Sequence, residues 1–257
     1  MSNLINTPTV EVIDHTGKGQ ADPLWAAKKL IYTKLTRLEQ GQDTWAKIHS
    51  MNQEEVQEQL DYVRDSVRSS WEFVSFTFQI KNVTRGFTHQ FVRTRTASYA
   101  QQSQRVVDMS GFDFGCGPVV AGDPEMLGEY KACMGEINSA YEKLISLGAP
   151  AQDARGLLPT AVSTSIIAEI NLRTLADLAI KRDNPRAEGE YHKVFKGIAE
   201  AAIEAMPWVE DFLYPERTST PNLDKLLIEM RGDRSPVEMN ELNSAMKELD
   251  KLKKAWG

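Results

Sequence analysis

An α+β fold, a sheet flanked by helices, is what the hydrophobic periodicity of this chain predicts. Two observations carry it. Short runs with a period of two, or rich in β-branched residues, recur at Val10–Asp14, Trp71–Lys81 and Val162–Ile170, while longer stretches between and after them repeat near 3.6 residues. With 257 residues, 41% of them hydrophobic, the chain is long enough to bury a substantial core.

The first element is the alternating VEVID strand, Val10 to Asp14. Pro23 opens a helix predicted to run through Ile48, with Leu24, Ala27, Leu30, Ile31 and Leu35 near helical spacing. Asn52 followed by Glu55 reads as a capping box for a second helix with Val56, Leu60 and Val63 inside. In WEFVSFTFQIK, Val74, Phe76, Phe78 and Ile80 share one face and Phe73, Ser75, Thr77 and Gln79 the other, so a half-buried strand is expected. A short helix covers Arg85 to Arg93, and a glycine- and proline-rich loop ends at Pro118. Further helices are expected at Pro124–Leu147, Asn171–Lys181 and Arg186–Met206. Ser235, Pro236 and Glu238 form another capping signature, opening a charged helix with an apolar stripe of Leu242, Met246, Leu249 and Trp256.

Charge is distributed unevenly. Between Glu72 and Asp108 lies no acidic residue, although 36 in 257 would put about five there, and the interval holds Lys81, Arg85, Arg93, Arg95 and Arg105. Arginine offers a planar fork of donors suited to phosphate or carboxylate, and its charge is permanent at physiological pH. Each arginine alone is as readily explained by an acidic partner elsewhere in the fold; as a set without local acids they point to a phosphate site. Ser98 and Ser103 add hydroxyls of the kind that line such pockets. The net charge of −6 and a pI near 5.4 argue against a protein coated in nucleic acid, so a local pocket is expected.

Other chemistries find little support. Cys116 and Cys133 have neither CxxC spacing nor adjacent histidines, so no metal site and no disulfide framework is indicated, and a reduced, cytoplasmic location is expected. No membrane-spanning run and no leader-like start is evident. The sequence has no dinucleotide fingerprint and no Walker loop. A nucleophilic Ser103 would need a base, and His15, His49, His89 and His192 stand in no recognisable triad context.

The run Arg93, Thr94, Arg95, Ser98, Ser103, Arg105 resembles the signature of the flavin-dependent thymidylate synthases, R-H-R followed by seven residues and a serine, often extended as S-x-R. WEFVSFTFQIK is similar to the family's P-F-E-H-x-x-F-T-F strand, Gln90 to its glutamine, and ARGLLP (Ala154 to Pro159) with Asn171, Arg173, Asp177 and Arg182 to its later segments. The likeness spans roughly Trp25 to Trp208. It implies a mixed sheet with flanking helices in one domain over 1–209, followed by a C-terminal helical extension over 210–257. It also implies a homotetramer with FAD between subunits, in which dUMP is methylated to dTMP with methylenetetrahydrofolate as one-carbon donor and NADPH as reductant. Gln90, Arg93, Gln101, Ser103, Arg105, Arg155 and Arg182 would hold dUMP, and Arg182 would act in catalysis by stabilising the ionised pyrimidine. Ser69, Arg93, Thr94, Arg95, Gln101, Asn171, Arg173 and Asp177 would contact the flavin.

The departures from the family pattern cluster near the flavin and the one-carbon donor. Thr94 and Val67 stand where the family has histidines, Gln101 where it has glutamate, Val106 where it has tyrosine, Ser70-Trp71 where it has Pro-Phe, and Arg186 where it has a further histidine. They motivate two rival expectations: a flavin-dependent hydroxymethylase acting on the same nucleotide, and a non-catalytic nucleotide-binding homologue.

Overall fold

The computed structural model describes residues 3–5, 7–36, 44–66, 68–182 and 189–215. In chain order the elements are β1 (Thr9–His15), α1 (Trp25–Leu35), α2 (Thr44–His49), α3 (Gln53–Asp65), a 3-10 turn (Arg68–Phe73), β2 (Ser75–Thr84), α4 (Arg85–Phe91) and β3 (Ala97–Gln101). There follow α5 (Pro118–Gly122), α6 (Pro124–Ser146), α7 (Ala151–Ala154), a 3-10 turn (Arg155–Leu157), β4 (Ser163–Asn171), α8 (Leu172–Arg182), α9 (Gly189–Ala205), a 3-10 turn (Pro207–Val209) and α10 (Glu210–Leu213).

The α+β class is as expected. The four strands lie in the order β1-β2-β4-β3, and all three pairings are antiparallel, where a mixed sheet was expected. Alternation in the sequence sets which residues face inward but carries no information on strand direction. One sheet face is buried under helices: Phe76, Phe78, Ile80 and Val83 of β2 and Ile166, Ala168 and Ile170 of β4 are at most 1% exposed. The other face, with Ser98 and Ala100 opposite Glu169 and Ile167, is open in the single chain. Asn82 takes a left-handed conformation, φ 57°, where the β2–β4 register shifts between Ile80 and Val83, a position asparagine tolerates well.

Two differences from expectation have clear causes. The helix predicted from Pro23 through Ile48 is two helices, α1 and α2. Trp45 packs edge-on against Trp25 at 6.3 Å and against Tyr32 at 5.0 Å. Twenty residues of continuous helix would hold Trp25 and Trp45 about 30 Å apart, which their contact excludes. The second difference is β3, which periodicity missed: ASYAQ has one aromatic and no β-branched residue, and it is a strand because it pairs with β4.

Elsewhere the local chemistry behaves as read. Asn52 Oδ1 accepts from the amides of Glu54 (2.9 Å) and Glu55 (3.0 Å), and Glu55 accepts from the Asn52 amide at 2.8 Å, completing the capping box of α3. Gly148, at φ 90°, follows the end of α6, which covers a second core of Met109, Phe112, Phe114, Met134 and Tyr141. The 210–213 segment packs Phe212 against Trp71, ring centroids 5.0 Å apart. The helix expected after Ser235 lies outside the described residues, as do Val67 and Arg186.

Candidate active site

Two helices and the turn after one of them build the site. α4 begins where Thr84 Oγ1 accepts from the Phe87 amide at 3.1 Å, and Thr84 is itself gripped by Glu190, whose carboxylate accepts from its amide (2.8 Å) and its hydroxyl (2.5 Å). Gly115 passes so close to this point that a Cβ there would lie 2.6 Å from Thr84 Cγ2. The 93–95 turn after α4 is tied down by Tyr99, whose hydroxyl shares its proton between the carbonyls of Phe91 (2.9 Å) and Thr94 (3.0 Å). Burial pushes that phenol up to about 12, so the tether keeps its proton at any physiological pH.

α8 starts from Asn171, whose Oδ1 accepts from the Thr174 amide at 2.9 Å, a cap three residues into the helix. Thr174, Asp177, Leu178, Lys181 and Arg182 then fall at i, i+3, i+4, i+7 and i+8, one face of the helix. Facing them across a cleft of ≈ 630 Å³ are Gln90, Arg93, Thr94 and Thr96. Five residues singled out in the sequence, Gln90, Arg93, Thr94, Asp177 and Arg182, therefore converge from segments about ninety positions apart.

The cleft is rich in hydrogen-bond donors, and its arginines are not neutralised. Among the described residues no carboxylate lies within ion-pair distance of Arg93 or Arg182. Arg182 lays its guanidinium over the ring of Tyr191, 4.4 Å from the centroid. Its Nε is buried without a hydrogen-bond partner, and so is the Tyr191 hydroxyl. Burial pushes the Tyr191 phenol up, opposed by the Arg182 charge beside it. Of the two, only Arg182 lines the cleft.

The other predicted residues lie elsewhere on the chain. Gln101 is on the helix-covered face of β3, donating to Thr88 Oγ1 at 2.7 Å. Ser103 and Arg105 are exposed beyond it; Ser103 Oγ accepts from the Arg105 amide at 3.3 Å, and no imidazole bonds it among the described residues. Arg155, in the turn after α7, is exposed and sits near Arg85, whose guanidinium burial, and then the Arg155 charge, push below its usual range. Neither Arg85 nor Arg155 has an acidic partner among the described residues. None of Gln101, Ser103, Arg105 and Arg155 lines the cleft. Arg95 is exposed at the outer side of the turn.

Ser69, Asn171, Arg173 and Asp177 gather where the 68–73 turn packs on α8. Here the charges are paired: Arg68 donates to Asp177 at 2.6 Å and Arg173 to Glu72 at 2.7 Å. Of the departures from the family pattern, Thr94 lies in the cleft, Val106 is 82% exposed and Trp71 is buried. The sequence reading overlooked Thr96, Thr174, Lys181 and Tyr191. Helical spacing from Asp177 and Arg182 was a sufficient signal for Thr174 and Lys181, whereas Tyr191 meets Arg182 only through the tertiary fold.

A four-stranded antiparallel sheet under helices, with a cleft whose Arg93 and Arg182 have no acidic partner among the described residues, defines the class: an α+β protein with a cationic cleft. Its family is specific: residues 11–208 match the thymidylate synthase complementing protein family, and the chain belongs to it. The chain is 37% identical over 144 residues to a flavin-dependent thymidylate synthase of Nitratidesulfovibrio vulgaris, covering 53% of this chain and 59% of that one. It is 40% identical over 139 residues to that of Pyrococcus furiosus, 52% and 56% of the two chains. With the Clostridium tetani enzyme of the same name it shares 32% identity over 182 residues, 64% and 70%. The first two matches thus span under two thirds of those relatives' own length. No helix among the described residues is long and apolar enough to cross a membrane.

Proposed function

We propose that this protein is a flavin-dependent thymidylate synthase, methylating dUMP to dTMP with methylenetetrahydrofolate as one-carbon donor and NADPH as reductant. One observation carries the reading beyond family membership: Gln90, Arg93, Thr94, Asp177 and Arg182 share one cleft. A flavin fits the donor set. The cleft's amide, hydroxyl and cationic groups suit the polar edge and phosphates of FAD, and Asp177, which lines it, links it to the packed 68–73 turn and α8 start that carry Ser69, Asn171 and Arg173. FAD, when bound, supplies the hydride chemistry, which no side chain here can perform.

The protein's own work is binding and polarisation. Arg93, Arg105 and Arg155, with Gln90, Gln101 and Ser103, hold the nucleotide, and with no ion-paired acid among the described residues these arginines are ready for phosphate. Arg182 keeps a full positive charge against the pyrimidine, favouring its ring ionised at nitrogen and thereby rich enough in electrons at carbon to attack the one-carbon unit. No protein nucleophile is required, which agrees with a Ser103 hydroxyl that no imidazole bonds among the described residues.

Because Gln101, Ser103, Arg105 and Arg155 stand apart from the cleft, one chain offers two half-sites. We assign their union to a homotetramer in which a second copy brings its 101–105 segment and Arg155 over the first copy's cleft. The test starts at purification. A yellow protein bleached by NADPH is expected, and mass analysis of the nucleotide after turnover should give dUMP plus a methyl group; a colourless protein that takes up no FAD, or a hydroxymethyl product, would overturn the reading.

A further inference from the structure

We propose that Tyr191 is a positioning residue for Arg182, holding its guanidinium over the phenol ring so that its charge faces the cleft; this deepens the reading of the site given above. An arginine needed for its charge cannot be fixed by a carboxylate without losing that charge to the partner. An aromatic face fixes the guanidinium plane and leaves the charge in place. The geometry has this form: guanidinium carbon 4.4 Å from the ring centroid, and no acid within ion-pair distance among the described residues.

The shelf is itself rigid. Tyr191 is 2% exposed, and its ring is wedged against Phe87 at 5.2 Å and Phe91 at 6.2 Å, both on α4. Its neighbour Glu190 anchors the same end of α9 to Thr84, at the start of α4. The two ends of the cleft, Arg93 after α4 and Arg182 closing α8, are thereby referenced to one aromatic ring. His192 Nδ1 lies 3.1 Å from the Arg182 carbonyl, fixing the backbone as the ring fixes the side chain.

The experiment compares Tyr191→Leu and the longer, unbranched Tyr191→Met, which remove the aromatic face, with Tyr191→Phe, which keeps it. In the FAD-loaded protein, loss of the face should lower kcat about tenfold while dUMP affinity changes by no more than about threefold, and Tyr191→Phe should recover turnover to within about threefold. In an Arg182→Ala background, adding Tyr191→Met should cost less than about twofold, because the ring acts through the arginine. Independent, multiplying losses overturn the proposal, as does equal damage from Phe and Met. A second readout needs no turnover: phenylglyoxal labelling of Arg182, followed by peptide mass analysis, should run about tenfold faster without the face and at the wild-type rate in Tyr191→Phe. Unchanged labelling rates sink the positioning role. A wild-type protein inert towards dUMP that still shows this labelling pattern would instead overturn the thymidylate synthase reading and leave the positioning role standing.

Discussion

Arginines occur in two electrostatic settings on this molecule. At the rim formed by the 68–73 turn and α8, Arg68 and Arg173 are each matched by a carboxylate, Asp177 and Glu72, in pairs 40–50% exposed. In the cleft, Arg93 and Arg182, and apart from it, Arg105 and Arg155, have no such match among the described residues. A protein of net charge −6 has acids to spare, so leaving these four unmatched is not a shortage. The difference marks where a doubly charged phosphate and an ionised ring are expected to complete the balance, and where a flavin, whose ring contacts are mostly hydrogen bonds, is expected to need no excess charge.

The sharpest way to break this contrast is Arg182→Ala. Removing a fixed cation from a site of developing negative charge should lower kcat by about 10²–10³, with the nucleotide dissociation constant raised far less. Steady-state kinetics and equilibrium titration of dUMP measure the two; equal losses in both would mean Arg182 binds substrate and does not act on the transition state. Next in size, Arg155→Ala should weaken dUMP binding by about 10–100-fold through loss of charge-assisted hydrogen bonds, with kcat at saturating nucleotide much less affected. A variant that binds dUMP normally would remove Arg155 from the site and with it the second half-site.

How far the sequence could reveal this arrangement depends on the range of each interaction. Signals closed within a turn or two were readable: the Asn52–Glu55 box, the inward face of β2, and the acid-free stretch holding Arg85, Arg93 and Arg105. Motif resemblance reached Arg155, Asn171 and Arg182, which no local signal joins. What escaped depends on contacts between distant segments. β3 is a strand because β4 is beside it, α1 and α2 are separate helices with Trp45 packed against Trp25, and Tyr191 is an ordinary buried aromatic until α9 brings it beneath Arg182. Asn171 teaches the reverse. The family resemblance points it at the flavin, yet its side-chain oxygen is already engaged in capping α8, so any flavin contact falls to its amide nitrogen or shares that oxygen.

That double duty is testable at smaller scale. Asn171→Ala should destabilise the fold by about 1 kcal/mol through the lost cap, seen as a lowered melting temperature in the flavin-free protein, whereas Asn171→Asp should retain the cap. If both variants lose flavin while only alanine loses stability, the amide nitrogen is the flavin contact.

The paired rim gives the smallest effect and the cleanest control. Arg173 and Glu72 are 44% and 48% exposed, so solvent screens their attraction and the pair is expected to contribute about 0.2–1 kcal/mol at most. Arg173→Ala and Glu72→Ala should therefore each shift the melting temperature slightly, with the double variant no worse than either alone, and the effect should shrink further in high salt. On dUMP affinity neither should act, since the pair does not border the cleft. FAD affinity is where they should part: Arg173→Ala is expected to weaken it several-fold by removing donors, whereas Glu72→Ala, which only frees Arg173, should leave it equal or tighter. If Glu72→Ala instead strengthened nucleotide binding, the rim would belong to the phosphate side, and the division between matched and unmatched arginines would no longer separate the two ligands.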